Sequence, residues 1–398
     1  MSASIWRKCN LKQFATIYSG TDYKHNKKGE DFPIIGTGGI MGYTGDFLNE
    51  GPAVLTGRKG TIDRPIYIEG KFWNVDTIFC IKPFDFTNVK YLYYALSNKN
   101  LLLLNEATGV PSVSSDNLYK QSFILPKDSE EQKHIADILS TCDTIIQNTQ
   151  KTIDKYKAIK QGMMQDLFTR GLTKDGKLRP SYKEAPELYK ESELGMIPKE
   201  WNVDCIGNNY MTYAGGTPSR EHEEYYKGTI PWVSSSECNQ FEINDTNEHI
   251  TEFAIQNSST KMVKAGAILL ALYGATAGQV AKLNIDATTN QAVLACLSDT
   301  KNDNNYLYYY INYIKEKMLY LAQGSGQPNL SKASVDKFIY LMPQKNEQIE
   351  IAKRLSSIDS TIQKEETILA KYKKIKTGLM ARLLAPPENA EIINETGE

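Results

Sequence analysis

A chain of 398 residues, 41% hydrophobic and 23% charged, has the composition of an ordinary folded protein and room for two or three domains rather than one. It has no apolar run of 18 residues and no apolar core in the leading MSASIWRKCN, which argues against a membrane span or signal peptide and points to the cytoplasm. A formal net charge of −1 excludes a protein that grips nucleic acid by its own basic excess; DNA binding would need phosphate contacts shared with partners.

The elements fall into two rounds. Residues 1–127 read as a mixed module, with strands broken by glycine turns in AVLTGRKGTID, a buried strand in NVDTIFCIKP, a short helix in the tyrosine-rich YLYYAL, and the loop GVPSVS at 109–114. Residues 128–170 then carry Ile135, Leu139, Cys142, Ile146, Thr149, Ile153, Tyr156, Lys160, Met163 and Leu167 at alternating spacings of four and three. That spacing is a coiled-coil seam, weakened in the middle by Thr149. Ser129 with Gln132 is the expected capping box. Residues 171–197 form a charged linker with turn signals at DG, RP and IP.

The second round repeats the plan. Residues 198–343 form another mixed module, with strands in AILLALYGATAGQVAKL and TNQAVLACL, a helix in YLYYYI, and the loop GSGQPNLS. Residues 344–384 form a second long helix, with Asn346 as its expected cap and a seam at Ile351, Leu355, Ile358, Ile362, Glu365, Leu369, Tyr372, Lys376, Leu379 and Leu383. Each helix should span roughly 60 Å at 1.5 Å per residue. The tail, 385–398, is acidic and is expected to be disordered.

The two rounds are an internal duplication. Glu131, Gln132, Ile135, Ala136, Leu139, Ser140 and Asp143 recur as Glu347, Gln348, Ile351, Ala352, Leu355, Ser356 and Asp359, a shift of 216 residues. Cys80 pairs with Cys296, Pro111 with Pro328, and the helices are more alike than the modules. The second helix brings the chain back along the first. The expected fold is therefore α+β: two similar mixed α/β modules separated by two long antiparallel helices forming a coiled coil, with approximate twofold symmetry. DNA-binding dimers read half-sites set by their own geometry, so unlike modules on one chain suit an asymmetric, two-part target, with the coil as a ruler.

At this point the residues carry a resemblance. GSGQPNLS ahead of FIYLMPQKNEQ, GLMARLL closing a helix, DLFTRGLT, and ELGMIPKEW opening the second module occur in an order similar to that of the specificity subunit of type I restriction-modification systems, over residues 1 to 385. The resemblance implies two target recognition domains, two spacer helices and no catalytic residue on this chain. It implies double-stranded DNA as target and, as partners, modification subunits, two of them, that carry S-adenosylmethionine and methylate adenine N6. Restriction subunits carrying ATP and magnesium are possible further partners. It leaves this chain without a cofactor and away from membranes.

Base reading is sought where the modules differ. In the first, Arg58 and Lys59 lie on a glycine-bounded turn, and Thr21, Tyr23, Lys24 and Tyr43 on polar loops. In the second, GGTPSR offers Thr217, Ser219 and Arg220, WVSSSE offers Ser234, Ser235 and Ser236, and Tyr273 takes the place of Lys59. Gln327 and Asn329 carry amides that can read adenine, but turn chemistry favours a scaffold role for GSGQPNLS, anchoring its module to the coil or a partner. Partner docking and the coil are assigned to Ile135, Leu139, Ile146, Tyr156, Ile351, Leu355, Ile362 and Tyr372. Lys155, Lys157, Lys160, Lys371, Lys373, Lys374 and Lys376 can touch DNA, but equally suit a solvated face or helix dipoles. The tyrosine clusters read as core.

Two other classes compete. Asp63, Glu69 and Lys71 form a D-x5-E-x-K string that could mimic a metal-dependent nuclease, and the coil alone would suit a protein-only adaptor. Six scattered cysteines and four distant histidines give no metal-site spacing. No GxxxxGK[ST] loop and no Asn/Asp-Pro-Pro-aromatic motif is present.

Overall fold

The computed structural model of the chain describes residues 5–298, 301–322 and 329–394. The first module runs through β1 (Ile5–Asn10), β2 (Ala15–Ser19), β3 (Phe32–Gly36), β4 (Gly39–Thr44), β5 (Asn49–Glu50), β6 (Ala53–Gly57), β7 (Ile66–Ile68), β8 (Lys71–Asn74), β9 (Ile78–Pro83), α1 (Val89–Ser97), α2 (Ser115–Tyr119) and β10 (Ser122–Pro126). The long helix α3 (Ser129–Thr169) follows, then a hairpin of β11 (Tyr189–Ser192) and β12 (Gly195–Pro198). The second module comprises β13 (Asn202–Cys205), α4 (Ile206–Asn209), β14 (Tyr210–Ala214), β15 (Ile230–Val233), β16 (Glu242–Ile243), β17 (Glu248–Ile250), α5 (Glu252–Gln256), β18 (Met262–Val263), β19 (Ile268–Ala271), β20 (Val280–Leu283), β21 (Ala287–Thr289), β22 (Val293–Ser298), α6 (Asn304–Ala322), α7 (Lys332–Asp336) and β23 (Ile339–Met342). The second long helix, α8 (Lys345–Leu383), leads to β24 (Glu391–Asn394).

The chain divides into two compact units, 1–152 with 365–398, and 153–364. The boundary falls inside each long helix, so each unit holds one module and half of both helices.

In the first unit, two four-stranded sheets run β2-β9-β6-β7 and β4-β3-β8-β5. β6 is buried at all five residues, as its unbroken AVLTG requires, because it has neighbours on both faces. Alternation then sorts its side chains. Leu55, with Cys80 of β9, joins Ile34, Ile35 and Phe72 in one core, while Val54 and Ile81 join Tyr91, Leu96, Ile135 and Leu139 in another. Asn88 caps α1 by accepting from the Tyr91 amide at 3.0 Å, which seats Tyr91 and Tyr94 in the core.

The second unit follows the same plan, with sheets β14-β22-β19-β20-β16 and β17-β15-β21-β18. Leu269, Ala281 and Ala295 face one core; Ile268, Leu270, Leu294 and Cys296 face another, shared with Tyr306, Tyr310, Ile351 and Leu355. α6 is longer than the short helix expected, and its Tyr306, Tyr308, Tyr309 and Tyr310 are all buried.

The seam spacing is confirmed by burial: none of its twenty positions is exposed. Leu139 and Leu355 are fully buried, each worth about 1.5–3 kcal/mol relative to exposure. Within each unit the helix halves run antiparallel. Leu379, Met380 and Leu383 pack on the cluster holding Ile135 and Leu139 in the first, and Met163 and Leu167 join Ile351 and Leu355 in the second.

Duplication reaches individual hydrogen bonds. Gln132, buried, accepts from the Asn88 amide at 2.8 Å and donates to the Pro126 carbonyl at 2.8 Å. Gln348 accepts from the Asp303 amide at 3.0 Å and donates to the Pro343 carbonyl at 2.9 Å. These glutamines tie the helix starts to their modules and are not caps. The Asp128 carboxylate caps α3 through the Glu130 amide, and Asn346 sits inside the first turn of α8, whose Glu347 and Gln348 amides bond the Gln344 carbonyl.

Each seam also carries a polar triad. Asp143 accepts from the Tyr94 hydroxyl at 2.7 Å and from Lys376 at 2.5 Å; Asp359 accepts from the Tyr309 hydroxyl at 2.9 Å and from Lys160 at 2.6 Å. Lys160 and Lys376 are therefore not solvated cations, the role their basic runs suggested. The Asp is on one long helix and the Lys on the other, so the register of each pair is fixed by charge as well as packing.

Two stretches are more ordered than their composition suggested. The linker folds around Arg179, which is 6% exposed and whose guanidinium bonds Glu347 and Glu200. The Trp201 indole donates to the same Glu347 at 3.0 Å, as does the Leu172 amide at 2.7 Å. In the tail, β24 pairs in parallel with β1, Ile5 opposite Glu391 and Lys8 opposite Asn394. Its EIIN can satisfy an open strand edge, a use that net composition does not reveal.

Candidate nucleic-acid interface

In the first module the structure brings Arg58 and Lys59 together with the GVPSVS loop. The loop lies across the glycine-bounded turn: the Val113 amide bonds the Arg58 carbonyl at 3.0 Å and the Gly60 amide bonds the Pro111 carbonyl at 2.8 Å. Lys59 and Ser112 are bridged. A cleft of about 680 Å³ opens here, lined by Arg58, Lys59, Asp76, Thr77, Glu106 and Ser112 among others. Both cations are exposed. Glu106 is held below the usual carboxylate range by its hydrogen bonds from Ser114 and Asn117, so it is anionic at the rim.

The other first-module residues lie elsewhere. Thr21 is exposed on the loop after β2, its carbonyl accepting from the Trp73 indole at 2.9 Å. Tyr23 packs against the inner core, and Lys24 is exposed beside Asp22 at 3.7 Å. Tyr43 is exposed on β4, the edge strand of its sheet among the described residues.

In the second module the corresponding turn bonds the corresponding loop: the Leu330 amide donates to the Leu272 carbonyl at 2.8 Å. Leu330, near the end of GSGQPNLS, is thus tied to its own module's strand turn, while residues 324–328, on which the expected anchoring to the coil or a partner also falls, lie outside the described residues. Asn329 is exposed there; Gln327 lies outside the described residues. Tyr273 follows Leu272 as Lys59 follows Arg58, but it is half-buried against the core.

The remaining second-module residues are held by neighbours. Arg220 forms two bonds to Glu248, at 2.7 and 2.8 Å, and lies over the Tyr226 ring at 4.1 Å. Its hydrogen bonds and charge hold the Glu248 carboxyl below its usual range. Thr217 is exposed and bonds Gln291; Ser219 accepts from the Glu221 amide at 3.3 Å. Ser234 caps a short turn with Glu237 and bonds Ser236 at 2.7 Å, with Ser235 half-buried in that turn. Gln291 and Glu248 could not be found from local pattern, because each lies in a separate segment from the residue it holds, 74 and 28 residues along the chain.

Glu69 accepts from the Tyr67 hydroxyl at 2.5 Å, and Lys71 lies over the Phe47 ring at 4.4 Å. Among the described residues no three His, Cys, Asp or Glu side chains form a metal-holding group.

The family model for the type I restriction modification DNA specificity domain matches residues 4–158 and again 198–374. The chain belongs to this family. As a type I specificity chain it recognises DNA sequence. The putative type I restriction enzyme MjaX specificity subunit of Methanocaldococcus jannaschii is 29% identical over 303 residues, covering 74% of this chain and 67% of that one. The MjaVIII specificity subunit of the same organism is 27% identical over 316 residues, covering 74% and 69%. A crystal structure of a type I restriction-modification S subunit from M. genitalium shares the fold, with a TM-score of 0.67 at 15% identity over 97% of this chain and 98% of that one. A chain from a study of type I complex assembly does so with a TM-score of 0.55 at 11% identity, over 96% and 98%. Among the described residues no helix is long and apolar enough to cross a membrane.

Proposed function

We propose that this specificity chain reads an asymmetric, split DNA target, one half per module, and docks two modification subunits that methylate adenine N6 in each half-site. S-adenosylmethionine belongs to those partners; ATP and magnesium belong to restriction subunits that join the larger complex. The chain itself is a non-catalytic reader.

One observation carries this reading: the DNA-specificity domain is matched twice, on modules that share a topology and differ in their surface loops. A parallel strand pair occurs in both, Ile34 beside Trp73 and Trp232 beside Thr288. What surrounds it differs, as reading two different half-sites requires. The near-zero net charge supports phosphate contacts shared with partners. Arg58 and Lys59 in the first module, and Thr217, Ser219 and Asn329 in the second, are the exposed polar groups best placed to reach bases or phosphates. Arg220, Ser234 and Ser236 shape their loops through Glu248 and Glu237.

The test is a module exchange. Replacing residues 1–127 by the corresponding module of another specificity chain should change one half of the methylated motif and leave the other. A change in both halves would refute modular reading. Inserting about four residues, near one helical turn, into both long helices at matching places should lengthen the unread gap.

A further inference from the structure

The hairpin of β3 and β4 presents apolar side chains to solvent. Ile40 is 61% exposed, Met41 60% and Tyr43 53%, with Phe47 exposed just beyond. β4 is the edge of its sheet, where exposed apolar residues invite unwanted pairing. Folding does not explain this placement.

Folding does not explain two of its glycines either. Gly39 has φ of +109° and turns the chain. Gly38 and Gly42 have no positive φ, and a Cβ on either would meet nothing within 4 Å. Glycine weakens a strand, so a fold that does not need it there gains by losing it. It is suited instead to close approach of another molecule to the backbone.

The surroundings define that molecule's chemistry. At one end of β4 the Gly45 amide bonds the Lys27 carbonyl at 3.0 Å, which places the exposed Lys27 and Lys28 beside it. At the tip, the Thr37 hydroxyl oxygen lies 3.2 Å from the Cβ position of Gly60, next to the exposed Arg58 and Lys59. An apolar tip between cations matches duplex DNA, which offers phosphates to the cations and a base stack to the tip.

We infer that the hairpin is a wedge: Ile40, with Met41 folded over Gly36 on the opposite face of β4, enters the half-site read by the first module and parts a base step. Lys27, Lys28, Arg58 and Lys59 hold the flanking phosphates. This rests on the DNA-reading role proposed above and adds a deformation to it, so selectivity in that half-site includes how readily the step opens. The second module differs at the matching place. After β15, equivalent to β3, the chain enters the turn capped by Ser234 and Glu237 instead of a tight hairpin.

The test uses the chain assembled with its methyltransferase partner and duplexes carrying the methylated motif, with single 2-aminopurine probes along both half-sites. One probe in the first half-site should brighten several-fold on binding, and the I40S/M41S variant should lose most of that rise. A target adenine flipped by the partner brightens equally in both proteins, so the difference between them is the readout. Probes in the second half-site should be unaffected by the variant. Both residues are exposed, so the variant should keep the wild-type melting curve. Gly42→Val should also fold normally and weaken specific binding several-fold. Equal brightening in wild type and I40S/M41S, with specific binding intact, would overturn the wedge. Absence of any specific binding by the wild-type complex would overturn the reading beneath it.

Discussion

Asp359→Ala tests the polar triads that join helices to modules. The carboxylate receives Tyr309, whose side chain is fully buried, and Lys160, which is 24% exposed. Removing it leaves the buried Tyr309 hydroxyl with only Ser356 as a side-chain partner, a penalty at the low end of about 1–3 kcal/mol. It also leaves Lys160 without its counter-charge, and breaking a buried pair costs about 3–5 kcal/mol. These penalties overlap, and Lys160 keeps some solvent and its place 5.5 Å from the Tyr309 ring. The expected loss is therefore about 3 kcal/mol, the low end of the buried-pair range. Lys160→Met leaves Asp359 bonded to Tyr309 and should cost about 1–2 kcal/mol. If the pair is real, the double variant should lose less than the two single losses combined, with a coupling of about 1–2 kcal/mol. Hydrogen exchange of the α6 amides reports the second unit alone. Additive losses, or a loss under about 0.5 kcal/mol for Asp359→Ala, would refute the reasoning. Asp143→Ala should be milder, because Asp143 is 26% exposed against 10% for Asp359.

Burial pushes the Cys238 and Cys296 thiols up to about 12 and Cys80 to about 11, and Cys9 is buried too. In the native protein a thiol reagent should label the half-buried Cys142 and Cys205 first; Cys238 or Cys296 reacting as fast would contradict the packing. Glu347→Ala removes the acceptor shared by Arg179, Trp201 and Leu172, and should cost about 3–5 kcal/mol in the second unit, read by loss of exchange protection at the start of α8. The Glu248 carboxyl is depressed by Arg220, so the stability it contributes is present above its unfolded pKa and lost as pH falls through the folded one. Protection of β17 should therefore fall under acid conditions in the wild type and be flatter with pH in Glu248→Gln. An acid limb unchanged in Glu248→Gln would refute this assignment.

The long helices were legible because a heptad seam and a repeat are local, periodic signals. Ile135, Leu139, Ile351 and Leu355 declared their burial by spacing alone. Gln132 was visible as a repeated residue, but its tertiary partners Asn88 and Pro126 were not, so a cap was the natural reading. Lys160 and Lys376 looked like members of basic runs because their aspartates sit on the opposite helix, about 200 residues away in sequence. The tail misled through composition: strand pairing of EIIN with β1 depends on an edge that only the fold creates. On the candidate interface, the Arg58–Lys59 turn and its loop could be found from glycine bounds and repetition. The anchoring of Arg220 on Glu248 could not, since it is a contact between loops of unrelated sequence.

The most direct test of the central claim is genome-wide mapping of N6-methyladenine in host cells with the gene intact and with it deleted, the partner methyltransferase being expressed in both. The account predicts loss of one split, asymmetric motif on deletion, with both halves lost together. Methylation of that motif persisting without the chain, or loss of a single unsplit motif, would contradict it.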